Sequence, residues 1–102
     1  MIDPQSVEID FGLMRNQEII QNLKLIYTTP AGTVPFDRDF GINWDILDQP
    51  LNIAKGHLIV EYAEKTRKYE PRASVREVYF LVHAMDGSLI PRVVIDFVGA
   101  TE

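Results

Sequence analysis

The chain contains no cysteine. That removes disulfides, thiolate metal sites and cysteine nucleophiles together, and it fits a reducing compartment. Basic charge is also scarce. Ten Lys and Arg stand against fifteen Asp and Glu, giving a formal net charge of −5. Such a balance lacks the broad basic face that nucleic acid requires and the polybasic patch that anionic membranes attract. No apolar run is long enough to span a bilayer. The opening "MIDPQSVEID" has neither the basic start nor the apolar core of a signal peptide. Neither nucleic acid nor a membrane is therefore expected as a partner. Serine occurs only at Ser6, Ser74 and Ser88, never in a GxSxG elbow. No glycine-rich phosphate loop is present. His57 and His83 fall on different predicted elements without metal-ligand spacing, so no cofactor or metal is expected.

What is present is a globular composition: 102 residues, 46% hydrophobic, enough for one small domain with a modest core. Residues 1–12 read as an extended lead-in or short strand, with Val7, Ile9 and Phe11 alternating against polar neighbours up to Gly12. In "RNQEIIQNLKLIYTTP" the period changes, and Ile19, Ile20, Leu23, Ile26 and Tyr27 share a helical face. Asn16 suits the N-cap, and Thr29 before Pro30 stops the helix near Thr28. A turn-rich stretch follows, punctuated by Pro35, Gly41 and Pro50. In it Asn43 is placed to cap a short helical turn from Trp44 to Leu47. Phe36, Phe40 and Trp44 recur every four residues and read as aromatics pinning a long loop to the core.

"LNIAKGHLIVEYAEKTRKY" is the longest predicted helix. Leu51, Ala54, Leu58 and Tyr62 form its stripe, widened by Ile59 and Ala63. Gly56 costs roughly 1 kcal/mol against alanine there, which a close helix approach would justify. Pro71 ends the helix near Tyr69. The last stretch reads as a β-hairpin turning at Asp86-Gly87. That turn pairs Val82 with Pro91, Phe80 with Val93 and Val78 with Ile95. One face then carries Val78, Phe80, Val82, Ala84, Leu89, Pro91, Val93, Ile95 and Phe97. Pro91 cannot donate to a ladder, so residues 89–98 read as an edge strand, with Arg92, Val94 and Asp96 along it. The fold class predicted is α+β, a single small domain with two main helices on a mainly antiparallel sheet and a C-terminal hairpin.

Chemistry-bearing motifs are few. "DRDFGINWDILD" spaces Asp37, Asp39, Asn43, Asp45 and Asp48 like a calcium loop. Its glycine is one place early and its last position is the shorter Asp, so a capped acidic loop explains it better. Fifteen acidic residues offer many arbitrary pairs for glycoside hydrolysis, and none is singled out. "TRKYEPRASVREV" is more pointed. Glu70 and Arg72 bracket Pro71 where helix gives way to strand. The stretch reads either as a solvated connection or as a pair of charge-assisted hydrogen bonds made by a carboxylate and a planar guanidinium.

Taken in order, these features resemble a known family. The first helix is followed by G-x-x-P-F-x-x-x-F-G (Gly32, Pro35, Phe36, Phe40, Gly41). Then come a helix ending in Glu70-Pro71-Arg72 and a C-terminal hairpin. From about residue 13 onward this pattern resembles the baseplate wedge and sheath-initiator family of contractile phage tails, which extends to type VI secretion and related injection machines. The resemblance implies a structural, non-enzymatic component of the virion tail baseplate, assembled in the bacterial host cytoplasm. It implies contact with the helical core bundle of larger wedge proteins through or near Glu70, Pro71 and Arg72. It also implies an edge strand offered to sheath protein, with weak self-association through that edge as a corollary. Where many members carry Glu-Arg after the first glycine, this chain has Thr33-Val34. The bond that arginine makes is absent here or replaced, with Arg38 the nearest substitute. Two other readings stay open: a lysozyme-like wall-degrading enzyme, and a cytosolic protein-binding regulator of anti-adaptor type.

Overall fold

A computed structural model describes residues 2–12 and 16–97. Residues 13–15, where the resemblance begins, residue 98 of the expected edge strand, and the side chain of Phe97 lie outside what is described. The order is a 3-10 turn (Pro4–Ser6), β1 (Glu8–Asp10), α1 (Gln17–Thr28), a second 3-10 turn (Trp44–Asp48), α2 (Leu51–Tyr69), β2 (Ala73–Val82) and β3 (Leu89–Phe97). The predicted α+β class is the observed one. Two helices pack on a three-stranded mixed sheet that ends in the β2–β3 hairpin.

Both helices have the ends their sequences dictate. Asn16 Oδ1 accepts from the amides of Glu18 (3.0 Å) and Ile19 (3.3 Å), satisfying two of the orphan donors of α1. The helix buries Ile19, Leu23, Ile26 and Tyr27 and stops where Thr29 turns extended before Pro30. In α2 the buried positions are Ala54, Leu58, Tyr62, Lys65 and Thr66. The stripe is thus narrower than predicted: Leu51, Ile59 and Ala63 are exposed. Gly56 is exposed as well, with open space where a Cβ would sit, so no close helix approach occurs and nothing in the structure explains the glycine. Between the helices, the Tyr27 and Tyr62 rings meet edge-on at 4.9 Å, and the Tyr27 hydroxyl bonds the Thr66 hydroxyl. Burial drives both phenols well above their ordinary pKa, so they stay neutral in the core.

The hairpin forms, two residues out of the predicted register. Val82 pairs with Leu89, Phe80 with Pro91 and Val78 with Val93. The reason is a longer turn: His83 N donates to Ser88 O (2.7 Å) and Gly87 N to His83 O (2.9 Å), leaving Ala84 and Met85 exposed in the loop. A shift of two preserves which side chains share a face. A bulge between Val75 and Glu77 then moves the register by one, bringing Val75 opposite Ile95.

The strand order β1-β3-β2 overturns the edge assignment: β3 is central. β1 runs parallel to it, pairing Glu8 with Arg92, Ile9 with Val93 and Asp10 with Val94. Arg92 and Val94 therefore face another strand, and Asp96 pairs with Ser74 of β2. Arg92 reinforces the junction by donating to Glu8 Oε1 at 2.9 Å. Pro91 remains compatible with this central place. Counting the ladder alternation from the His83–Ser88 pair, Phe80–Pro91 is a non-hydrogen-bonded pair, so the proline nitrogen points away from β2 toward the β1 side. There the turn Pro4–Ser6 lifts the chain out of the ladder, between the Ile2–Leu89 bridge and the Glu8–Arg92 pair. Among the described residues no strand partner faces the missing N–H.

The same alternation directs the amides of Val78, Phe80 and Val82 outward from β2, where no strand pairs among the described residues. Native-state hydrogen exchange is expected to show these three amides exchanging at least about tenfold faster than those of Tyr79 and Leu81, which point at β3. Equal protection of both sets would contradict the edge position of β2.

Candidate functional site

Glu70 closes α2. Its amide still donates to Thr66 O (2.8 Å), while its backbone has left the helical region before Pro71. Pro71 and Arg72 make a turn, and Ala73 N returns to Glu70 O at 3.1 Å. This turn brings two side chains to one side that an extended chain would set on opposite faces. The Glu70 carboxylate is only 2% exposed. Arg72 forks onto it, Nε to Oε2 at 2.7 Å and Nη2 to Oε1 at 3.0 Å. Asn22 of α1 adds a bond to Oε1 at 3.0 Å, and Glu18 lies 3.5 Å from Arg72. The end of α2, the start of β2 and the flank of α1 are thereby tied by one carboxylate. The Arg72 fork, helped by Asn22 and opposed by burial, holds Glu70 below the usual carboxylate range. A glycosidase acid needs the opposite, a carboxyl raised and held protonated.

The loop between α1 and α2 is built as tightly. Ile42 N donates to Thr29 O (2.9 Å) and Ala31 N to Ile42 O (2.8 Å), a short parallel bridge. Gly41 makes it: its φ is +101°, and a Cβ there would stand 2.2 Å from the Thr29 oxygen. Across the loop, Lys65 is buried and donates to both the carbonyl and the carboxylate (3.1 Å) of Asp39. Lys68 takes the other Asp39 oxygen, and the two lysines, Lys68 foremost, lower the Asp39 pKa. Glu61 Oε2 accepts from Asn43 N at 2.9 Å and lies 3.7 Å from Lys65. These groups line an open polar groove of about 450 Å³ between loop and helix. The Glu61–Lys65 spacing was visible in the sequence as an i,i+4 pair, but its junction with Asp39 and Asn43 was not.

The three aromatics separate. Phe40 packs edge-on against Tyr69 with centroids 5.0 Å apart, and the Tyr69 hydroxyl donates to Asp37 at 2.8 Å. Trp44 is half-buried in the capped turn, against the core. Phe36 does not pin the loop: it is fully exposed at the tip of a turn closed by Asp37 N to Val34 O (3.1 Å). Nor does Arg38 stand in for a loop arginine, since its carbonyl takes Gly32 N while its side chain enters no bond among the described residues. In the acidic loop the oxygens of Asp37, Asp39 and Asn43 go to separate partners. Among the described residues no group of three or more His, Cys, Asp or Glu is placed to hold a metal ion. Nor is any helix there long and apolar enough to cross a membrane. Comparison with protein-family models, curated proteins and solved structures finds no match in any of the three.

Removing the fork's cation strands a buried anion. Arg72→Ala is expected to destabilise the domain near neutral pH, because the buried Glu70 carboxylate loses the cation that forks onto it. Glu70 has a depressed folded pKa, so its contribution is present above the unfolded carboxylate pKa and is lost as pH falls through the folded one. The gap between wild type and variant should therefore shrink on acidification, and urea unfolding at pH 7 and pH 4 reads it. Gly41→Ala should cost about 3 kcal/mol or more, by positive φ and backbone clash together, measurable by thermal unfolding.

Proposed function

We propose that the chain is a non-enzymatic structural component of a contractile-tail baseplate that joins larger wedge proteins and starts sheath assembly by strand addition. The observation that carries this reading is the outer side of β2, which no strand pairs among the described residues, with outward amides at Val78, Phe80 and Val82. An uncovered strand edge is a template for another chain's backbone. The order of motifs from the first helix to the hairpin supports the same assignment. The docking strand is β2, in place of the β3 residues Arg92, Val94 and Asp96.

Within this reading the remaining site residues divide by what they touch. Glu70, Pro71, Phe40, Gly41 and Trp44 hold the fold. Phe36 and the exposed side of Arg72 meet the helical bundle of the wedge. The locale is the tail baseplate, assembled in the host cytoplasm.

Val82→Pro tests the edge. Val82 is 70% exposed and its N–H points outward, so proline there removes a docking donor without breaking a hairpin bond. The variant should keep the wild-type fold by circular dichroism and lose nucleation of the cognate sheath protein in a sedimentation assay. Normal nucleation by a folded variant would overturn the proposal.

A further inference from the structure

α2 carries more apolar surface than the three-stranded sheet covers. Lys55 Nζ lies 5.6 Å from the centroid of the Phe80 ring, which fixes that row of the helix above β2. Leu51 and Ile59 stand one turn before and after it on the same row, 44% and 39% exposed. On the sheet, Val82 shares the face of Val78 and Phe80 but is 70% exposed. Lys55 enters no ion pair among the described residues; its contact is the Phe80 ring. Apolar side chains and an unpaired cation thus border the open edge of β2.

We propose that this border is a groove for a fourth strand: an extended segment of a partner protein, alternating apolar residues toward the helix and carrying one carboxylate opposite Lys55. The proposal rests on the reading of β2 as the docking edge and specifies what that edge accepts. A strand added at the usual spacing of about 4.8 Å extends the sheet beyond β2, alongside the row of Leu51, Lys55 and Ile59. The bulge between Val75 and Glu77 interrupts the edge, so the bonded segment runs beside Glu77–Val82. Charge selects the occupant. A second copy docked β2 to β2 about a two-fold axis would set the two Lys55 rows side by side, like charge against like. A strand bearing Asp or Glu pairs that charge.

The probes are two capped heptapeptides alternating valine and threonine, one with glutamate and one with lysine in place of the central valine. Each is titrated into the ¹⁵N-labelled chain. The expected result is slowed exchange at the amides of Val78, Phe80 and Val82, with the glutamate peptide bound about fivefold more tightly. Lys55→Glu should reverse that preference, which a fold defect cannot mimic. The double variant Leu51→Ser with Ile59→Ser should weaken both peptides about tenfold. Protection of the edge amides without any response to these variants would overturn the groove while leaving β2 as the docking edge. No protection at all would overturn both. Protection that grows with protein concentration alone, without peptide, would name a second copy as occupant and overturn the partner strand.

Discussion

One buried carboxylate sets the geometry on which the rest of the domain depends. Glu70 sits where α2 must stop and β2 must begin, and it is closed over by both helices and the turn. A carboxylate out of water is costly unless every lone pair is used. Here the Arg72 fork and the Asn22 amide supply three bonds to its two oxygens, so the turn between α2 and β2 is held by hydrogen bonds as well as by packing. The Glu-Pro-Arg sequence supplies its parts within three residues: a helix breaker, an anion and a guanidinium held two positions away.

The neighbouring loop follows the same economy. Gly41 allows two backbone segments to meet at a distance no side chain tolerates, and Asp39 is gripped by two lysines from successive turns of α2. A long irregular segment is thereby given a backbone bridge at its base and an ionic fastening at its flank. Phe36 is left as the loop's uncovered tip.

Local signals were legible in the sequence. Asn16, Pro30 and Pro71 marked helix ends correctly because capping and proline sterics act within a few residues. The hairpin was legible for the same reason, though its turn was not: Asp86-Gly87 is a strong two-residue signal that the His83–Ser88 bond overrides. What failed was non-local. Pro91 argues for an edge only if no gap faces it, and the gap arises from a turn more than eighty residues earlier in the chain. Likewise Leu51 and Ile59 carry the periodicity of a buried stripe, which reports what a helix can bury, not how far the sheet beneath it extends. Glu70 and Arg72 were recognised as a unit, but only the fold shows that they bond to each other and to Asn22.

The parallel pairing of β1 with β3 bears on how the molecule comes into being. The central strand is the last of the three in the chain, and its partner Glu8 lies near the other end of the sequence. Contacts of such separation form late, because loop closure must come before they reward it. A ribosome-bound chain that has emerged only through β2 holds both helices but no sheet for them to cover. β2 then has two open sides instead of one. The span before β3 arrives is the period in which wrong pairing is easiest, and the arrival of β3 reduces a doubly exposed strand to a single directed edge.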